Sequence, residues 1–255
     1  DGGKTAAWAK QHGQTLSANN DSGEDWSGCR DIDHSSENVR NNYNAYLKFL
    51  LEDLGYTGFR YDMVKGYGAN YVGQYNHTTK PQFSVGEYWD NSSNTKIWIL
   101  KTSVDKVPQS AAFDFPFRYT VRDAANSGDW SKLQNDGNVP LISDNRFRQY
   151  AVTFVENHDT QKRSESEQLD PIKKDTLAAN AYLLAMPGTP CVFYRHWLDH
   201  KQAIKAMIEV RRAAGITNTS VSSVVAKAPK QYVVAVEGTK GKLLCVLGDE
   251  ADSYA

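Results

Sequence analysis

Val39, Tyr43, Tyr46, Leu47, Leu50 and Leu54 recur at helical spacing and predict a helix with one apolar face. Ser35 or Ser36 can cap its start, and Gly55 can supply the left-handed stop. A short β-type run over 58–64 follows, then a helix over about 66–76 and a strand over 82–87. The same order returns with strands at 111–115, 150–155 and 189–194. Helices are expected over about 116–127, 170–186 and 200–214, with Asp170-Pro171 well suited to open the second of these. Alternation of this kind implies parallel strands with right-handed crossovers.

Both ends of the chain break the pattern. Residues 1–34 are polar, rich in Gly, Ser, Asn and Asp, and read as irregular structure. Beyond about residue 217, Tyr232–Glu237 and Lys242–Leu247 flank Gly-Thr-Lys-Gly, the pattern of a β-hairpin with a four-residue loop. Three regions result: 1–34, 35–216 as an α/β region, and 217–255 as an all-β one.

Composition narrows the partners. Among 255 residues, 40% are hydrophobic and 23% charged, which argues against wholesale disorder. A formal net charge of -1 gives no field that favours nucleic acid or an anionic membrane, so neither is expected as a partner. A neutral substrate fits, and the six Trp and fourteen Tyr supply flat faces that can stack on sugar rings. Cys29, Cys191 and Cys245 form no zinc motif or disulfide framework. Cys191 and Cys245 lie in apolar runs and read as core residues. The amino end, Asp1-Gly-Gly-Lys-Thr, is neither an initiator Met nor a signal peptide, so no targeting segment is expected within the chain.

Three acids carry the chemistry. Asp62, Glu87 and Asp159 each sit at the carboxyl end of an expected parallel strand, where α/β active sites collect. Glu87 follows Asp62 by one βα unit, so their strands should be neighbours. Glycosidic cleavage needs two such carboxylates, one to give a proton to the leaving oxygen and one to meet the oxocarbenium centre. Arg60, two residues before Asp62 on a strand, projects from the same face and can hold it ionised. Taken singly, each acid would be read as a cap or a surface charge, and His158-Asp159 as a hydrogen-bonded loop pair. Only the joint pattern says more.

The segments Gly58-Phe-Arg-Tyr-Asp62-Met-Val-Lys-Gly-Tyr, Val85-Gly-Glu87-Tyr-Trp and Phe154-Val-Glu-Asn-His158-Asp159 resemble three motifs of the α-amylase family, glycoside hydrolase family thirteen. Cys29-Arg-Asp31-Ile-Asp33-His34 is similar to the end of that family's inserted domain. Pro187-Gly-Thr-Pro-Cys-Val-Phe-Tyr is similar to its last barrel strand, most like plant and some bacterial members. The resemblance implies part of a (β/α)8 barrel, about five strands of eight, after the end of an inserted domain and before the start of a β-sandwich. The chain is thus expected to be part of a longer protein.

By the same resemblance, Asp62 is the nucleophile, Glu87 the general acid/base and Asp159 the third carboxylate. A retaining mechanism places the Asp62 and Glu87 carboxyls about 5 Å apart. Arg60 would support Asp62, while His158 and Lys65 would contact sugar. Asp31 and the carbonyl of Gly66 match ligands of a structural calcium, although the His that usually offers that carbonyl is absent. The expected substrate is starch or a maltooligosaccharide, cut within the chain. The protein is expected to be a secreted or extracellular monomer. Other readings are a maltooligosaccharide hydrolase or transglycosylase with the same acids, and a non-catalytic glucan-binding piece. A nicotinamide enzyme is excluded by the absence of Gly-x-Gly-x-x-Gly after any strand.

Overall fold

A computed structural model describes residues 2–20, 22–26, 31–134 and 137–250. Cys29 lies outside them. The chain divides into two compact units, one of Asp1–Trp89 with Ile97–Ala112, the other of Asp90–Lys96 with Phe113–Ala255.

The first unit opens with α1 (Gly2–Gln11), where the sequence reads as irregular. Among the described residues of α1 only Ala9 is in the buried core, so the helix leaves little apolar periodicity to detect. Helix α2 (Glu37–Glu52) starts after Ser36, whose side chain makes no capping hydrogen bond, and Gly55 takes the left-handed conformation beyond its end. Strand β1 (Gly58–Tyr61) is shorter than its apolar run, because Met63 turns left-handed and a 3-10 turn covers Val64–Gly66. Helix α3 (Ala69–Thr79) and strand β2 (Phe83–Gly86) follow. β1 pairs in parallel with β2, and β2 in parallel with β3 (Ala111–Phe113).

Asn76 of α3 fixes this arrangement from below. It accepts from Tyr61 Oη at 2.9 Å and donates to Ser84 Oγ at 2.8 Å and to the Gln109 carbonyl at 3.0 Å. A buried amide with its bonds satisfied specifies register as well as packing. His34 is buried nearby, bonded through Nδ1 to Tyr75 Oη at 2.8 Å and stacked on Tyr67. Burial keeps its imidazole below its ordinary pKa.

Helix α4 (Ser92–Lys101), absent from the expected elements, spans the division between units. Its buried Thr95, Trp98 and Ile99 are interleaved with exposed Ile97 and Leu100, which blurs the apolar period. In the second unit, α5 (Phe115–Ser127) is capped by Asp114, which accepts from the Phe117 N–H at 3.1 Å. Strand β4 (Ala151–Phe154) pairs in parallel with β5 (Thr189–Cys191). Five parallel strands are present among the described residues.

Helix α6 covers Thr176–Ala185, not the longer span opened by Asp170-Pro171. Arg118 and Arg122 hold the Asp170 carboxylate, and Asn126 Nδ2 donates to the Pro171 carbonyl at 3.0 Å. Those bonds keep the dipeptide in a loop. The run expected as a strand to 194 ends at Cys191, and Tyr194–Asp199 form a short helix, α7, before α8 (Lys201–Ala214). Cys245 is buried as expected, but Cys191 is exposed, since β5 is an edge strand among the described residues and pairs there with β4 alone. Arg211 of α8 is buried and donates to three carbonyls, Leu184 at 2.8 Å, Met186 at 2.6 Å and Gly188 at 2.9 Å. The last two strands, β7 (Gln231–Glu237) and β8 (Lys242–Leu247), form the expected hairpin. An unforeseen β6 (Val221–Ala228) completes a three-stranded antiparallel sheet. Burial alternates along β6, but its half-buried positions are Ser222, Val224 and Ala226 while Val221 and Val225 are exposed, so the sequence shows no apolar alternation. Among the described residues no helix is long and apolar enough to cross a membrane.

Candidate active site

Register sets the first part of the site. Tyr61 of β1 stands opposite Gly86 of β2, so Asp62 and Glu87 leave adjacent strands at the same level. The Glu87 N–H donates to the Tyr61 carbonyl at 2.9 Å and extends the ladder by one bond. Arg60 lies two residues before Asp62 and forks between the two acids. Its Nη1 is 2.6 Å from Asp62 Oδ1 and its Nη2 is 2.9 Å from Glu87 Oε1. The two carboxylates differ in setting, for the Asp62 side chain is 66% exposed and that of Glu87 only 6%.

This difference separates their chemistry. Burial pushes the Glu87 carboxyl above its ordinary pKa, and the charge of Asp62 adds to that. The Met63 N–H, at 3.2 Å from Glu87 Oε2, and Arg60 pull the other way. Met63 delivers that N–H from a left-handed backbone, φ 45° and ψ 45°, which is unfavourable by on the order of 1 kcal/mol for a residue with a Cβ. The turn ends β1 and places Asp62 at its tip. Beneath β2, a Cβ on Gly86 would meet Trp98 Cη2 at 2.2 Å, so only glycine lets the indole lie there. Trp98 stacks in turn on Tyr88. Lys65 Nζ is 3.3 Å from Glu24 Oε2 and 5.6 Å from the centre of the Tyr88 ring.

His158 and Asp159 belong to the second unit, in the loop after β4. His158 Nε2 is 3.1 Å from Asp159 Oδ2, and the Asp159 N–H donates to Asn157 Oδ1 at 3.0 Å. The base of the loop rests on charges that sequence reading did not identify. Arg118, fully buried, pairs with Glu156 at 3.4 Å and with Asp170. Glu156 also accepts from Thr160 Oγ1 and, at 2.8 Å, from the Ile172 N–H. An acid inside the run Phe154-Val-Glu156 was the available signal, since a buried carboxylate requires a cation. Asp62 and Glu87 are thus brought together through Arg60, and Asp159 is held with His158.

The calcium ligands are placed less completely. Asp31 lines a cleft with Ser17, Asn19, Asn20 and Asp33, while Gly66 is not among its lining residues. Ser35, Ser17 and Asn19 saturate the Asp33 carboxylate and hold it well below the usual carboxylate range, so it adds no free ligand. Among the described residues no three His, Cys, Asp or Glu side chains gather as a metal cluster. The oxygen donors at Asp31 and Gly66 suit calcium in kind, but alone fall short of its six to eight ligands.

No family model matches the chain. It is 33% identical over 249 residues to the probable alpha-amylase 2 of Arabidopsis thaliana, covering 91% of this chain and 58% of that protein. To the alpha-amylase type B isozyme of Hordeum vulgare it is 32% identical over 126 residues, 48% of this chain and 78% of that one. To the glucan 1,4-alpha-maltotetraohydrolase of Stutzerimonas stutzeri it is 31% identical over 240 residues, 88% and 42% of the two chains. The chain thus spans less than two thirds of the Arabidopsis protein's length. Among solved structures, AmyP in complex with maltose superposes with a TM-score of 0.63 at 14% identity, covering 87% of this chain and 60% of that one. A cyclomaltodextrin glucanotransferase, CldA, gives 0.67 at 16% identity, covering 86% and 49%. At these identities the structural likeness establishes the fold alone, a partial (β/α)8 barrel with a following β-sheet.

Proposed function

The chain belongs to the α-amylase family, and from that premise we propose that its site hydrolyses α-1,4-glucosidic bonds within starch and related glucans, with retention of configuration. The observation that carries this is the single guanidinium of Arg60 forked between an exposed and a buried carboxylate. Asp62, exposed and paired with a fixed cation, attacks the anomeric carbon and forms the glycosyl ester. Glu87, whose burial favours the protonated form, gives its proton to the departing oxygen. It then takes a proton from water as the water displaces Asp62. His158 and Asp159 hold hydroxyls of the cleaved sugar, and Lys65 contacts sugar on the leaving-group side.

Exchange of roles is tested in the full chain. Asp62→Asn abolishes turnover of every substrate, since no other group forms the ester. Glu87→Gln retains the first step on a glycosyl fluoride, which needs little proton donation, and azide partly restores its turnover. Azide rescue in the Asp62 variant with retention of configuration, and none in the Glu87 variant, would reverse the assignment. A second reading is action on maltooligosaccharides by cleavage or transfer, and the likeness to the Stutzerimonas maltotetraohydrolase supports the cleavage. Product analysis on starch separates the two readings, and an unchanged product profile marks a glucan-binding piece.

The proposal also keeps a structural calcium on Asp31 and the Gly66 carbonyl, where it would cross-link loops and take no part in the chemistry. Chelation then lowers the unfolding temperature, because a ligand of the native state stabilises it by mass action. Asp31→Ala with unchanged stability and chelator response would remove the site. The regions 1–34, 35–216 and 217–255 are proposed as the end of an inserted domain, a barrel portion and the start of a β-sandwich. A secreted monomer is proposed as its setting.

A further inference from the structure

Asp159 is held at both oxygens. Oδ2 is 3.1 Å from His158 Nε2, and Oδ1 is 3.4 Å from Arg163 Nη2. A carboxylate turns freely about its last torsion unless its oxygens are held, so the two contacts together set its plane. The contacts are unequal in kind. An imidazole carries charge only when protonated, whereas a guanidinium is charged throughout the working range.

Arg163 is itself placed by bonds that do not involve Asp159. Its Nη1 donates to Glu167 Oε1 at 2.9 Å, its Nη2 reaches the His158 carbonyl at 3.3 Å, and its N–H donates to the Glu167 carbonyl at 2.9 Å. The Arg163–Asp159 pair is too exposed to matter much for stability, with side chains 43% and 38% accessible. Orientation is what it can supply. Arg195 offers the contrast, since it ties the same loop through Gln161 Oε1 at 2.8 Å and the Lys162 carbonyl at 2.9 Å.

We infer that Arg163 is a positioning residue, which locks the Asp159 carboxylate in the plane where it meets the hydroxyls of the sugar. This rests on the reading of Asp159 as the third carboxylate of the site. In this role the guanidinium acts through Asp159.

Steady-state kinetics on a maltooligosaccharide test it in the full chain, with Arg163→Gln, Arg163→Lys, Arg195→Gln and Asp159→Asn compared. Loss of a charged hydrogen bond that acts in the transition state lowers kcat in Arg163→Gln by about tenfold to a hundredfold. KM stays within about twofold and the unfolding temperature is unchanged. Millimolar guanidinium ion restores part of kcat in Arg163→Gln and none in Arg195→Gln, and Arg163→Lys lies between wild type and Arg163→Gln. Wild-type kcat in Arg163→Gln, or a loss that guanidinium does not relieve, overturns the inference. Should Asp159→Asn keep wild-type turnover, the reading of Asp159 itself fails. An impaired Asp159→Asn beside an unimpaired Arg163→Gln removes only the inference.

Discussion

The ends of β1 and β2 and the loop after β4 solve the same problem, holding an acid in place, by different means. Asp62 and Glu87 are the first residues beyond paired strands, so ladder bonds and a shared register position them before any side chain acts. Asp159 sits five residues beyond the end of β4 (159 − 154), and hydrogen bonds and charges within its loop must supply what the ladder does not. The first arrangement is local and tolerates changes far away. The second depends on Arg118, buried beneath the loop and remote from Asp159 in sequence.

The largest effect should come from breaking that dependence. Arg118→Met leaves Glu156 buried without its cation and lowers stability by about 3–5 kcal/mol. Urea unfolding measures the loss, and hydrogen exchange should show the amides of 157–170 deprotected while β1 and β2 stay protected. A loss under about 1 kcal/mol would mean the loop does not rest on its charges. The strand-set acids are broken differently. Gly86→Ala drives a Cβ into Trp98 and lowers stability by about 1–3 kcal/mol, with kcat falling but the 157–170 amides unchanged. Exchange that accelerated in the loop would show that the two regions are not independent.

The smallest effect sharpens the comparison through pH. The pKa of Glu87 is raised by burial, so the folded state binds its proton more tightly than the unfolded chain does. Its contribution is fully favourable below the ordinary Glu range and is lost as pH rises through the raised value. Glu87→Gln carries no such titration. Its stability relative to wild type should therefore increase with pH between pH 4 and pH 8, readable in thermal unfolding. A constant difference across that range would mean Glu87 titrates normally.

How far each region could be read in the sequence follows from the same contrast. The expected strand run over 58–64 carries Asp62 and that over 82–87 ends on Glu87, so the pattern placed both acids near strand ends, although β1 itself stops at Tyr61. Arg60 was legible because strand period 2 put it on the face of Asp62. Nothing periodic links Arg118 to Glu156, or Arg163 to Asp159, and a propensity argument read Asp170-Pro171 as a helix start when its charge was committed elsewhere. Helix α4 and strand β6 failed for a packing reason: one mixes exposed with buried apolar residues, and the other leaves Val221 and Val225 exposed while Ser222 is half-buried.

Arg211 has a kinetic consequence. The carbonyls of Leu184, Met186 and Gly188 at the end of α6 are satisfied by a side chain from α8, more than twenty residues later in sequence. During folding, the last turn of α6 therefore stays frayed until α8 docks, and a partly folded state with one helix and not the other is disfavoured. Residues 184–215 should accordingly appear late and together on the folding pathway. A lysine at 211 has no planar fork to bridge three carbonyls, so Arg211→Lys should slow that step even though it conserves the charge.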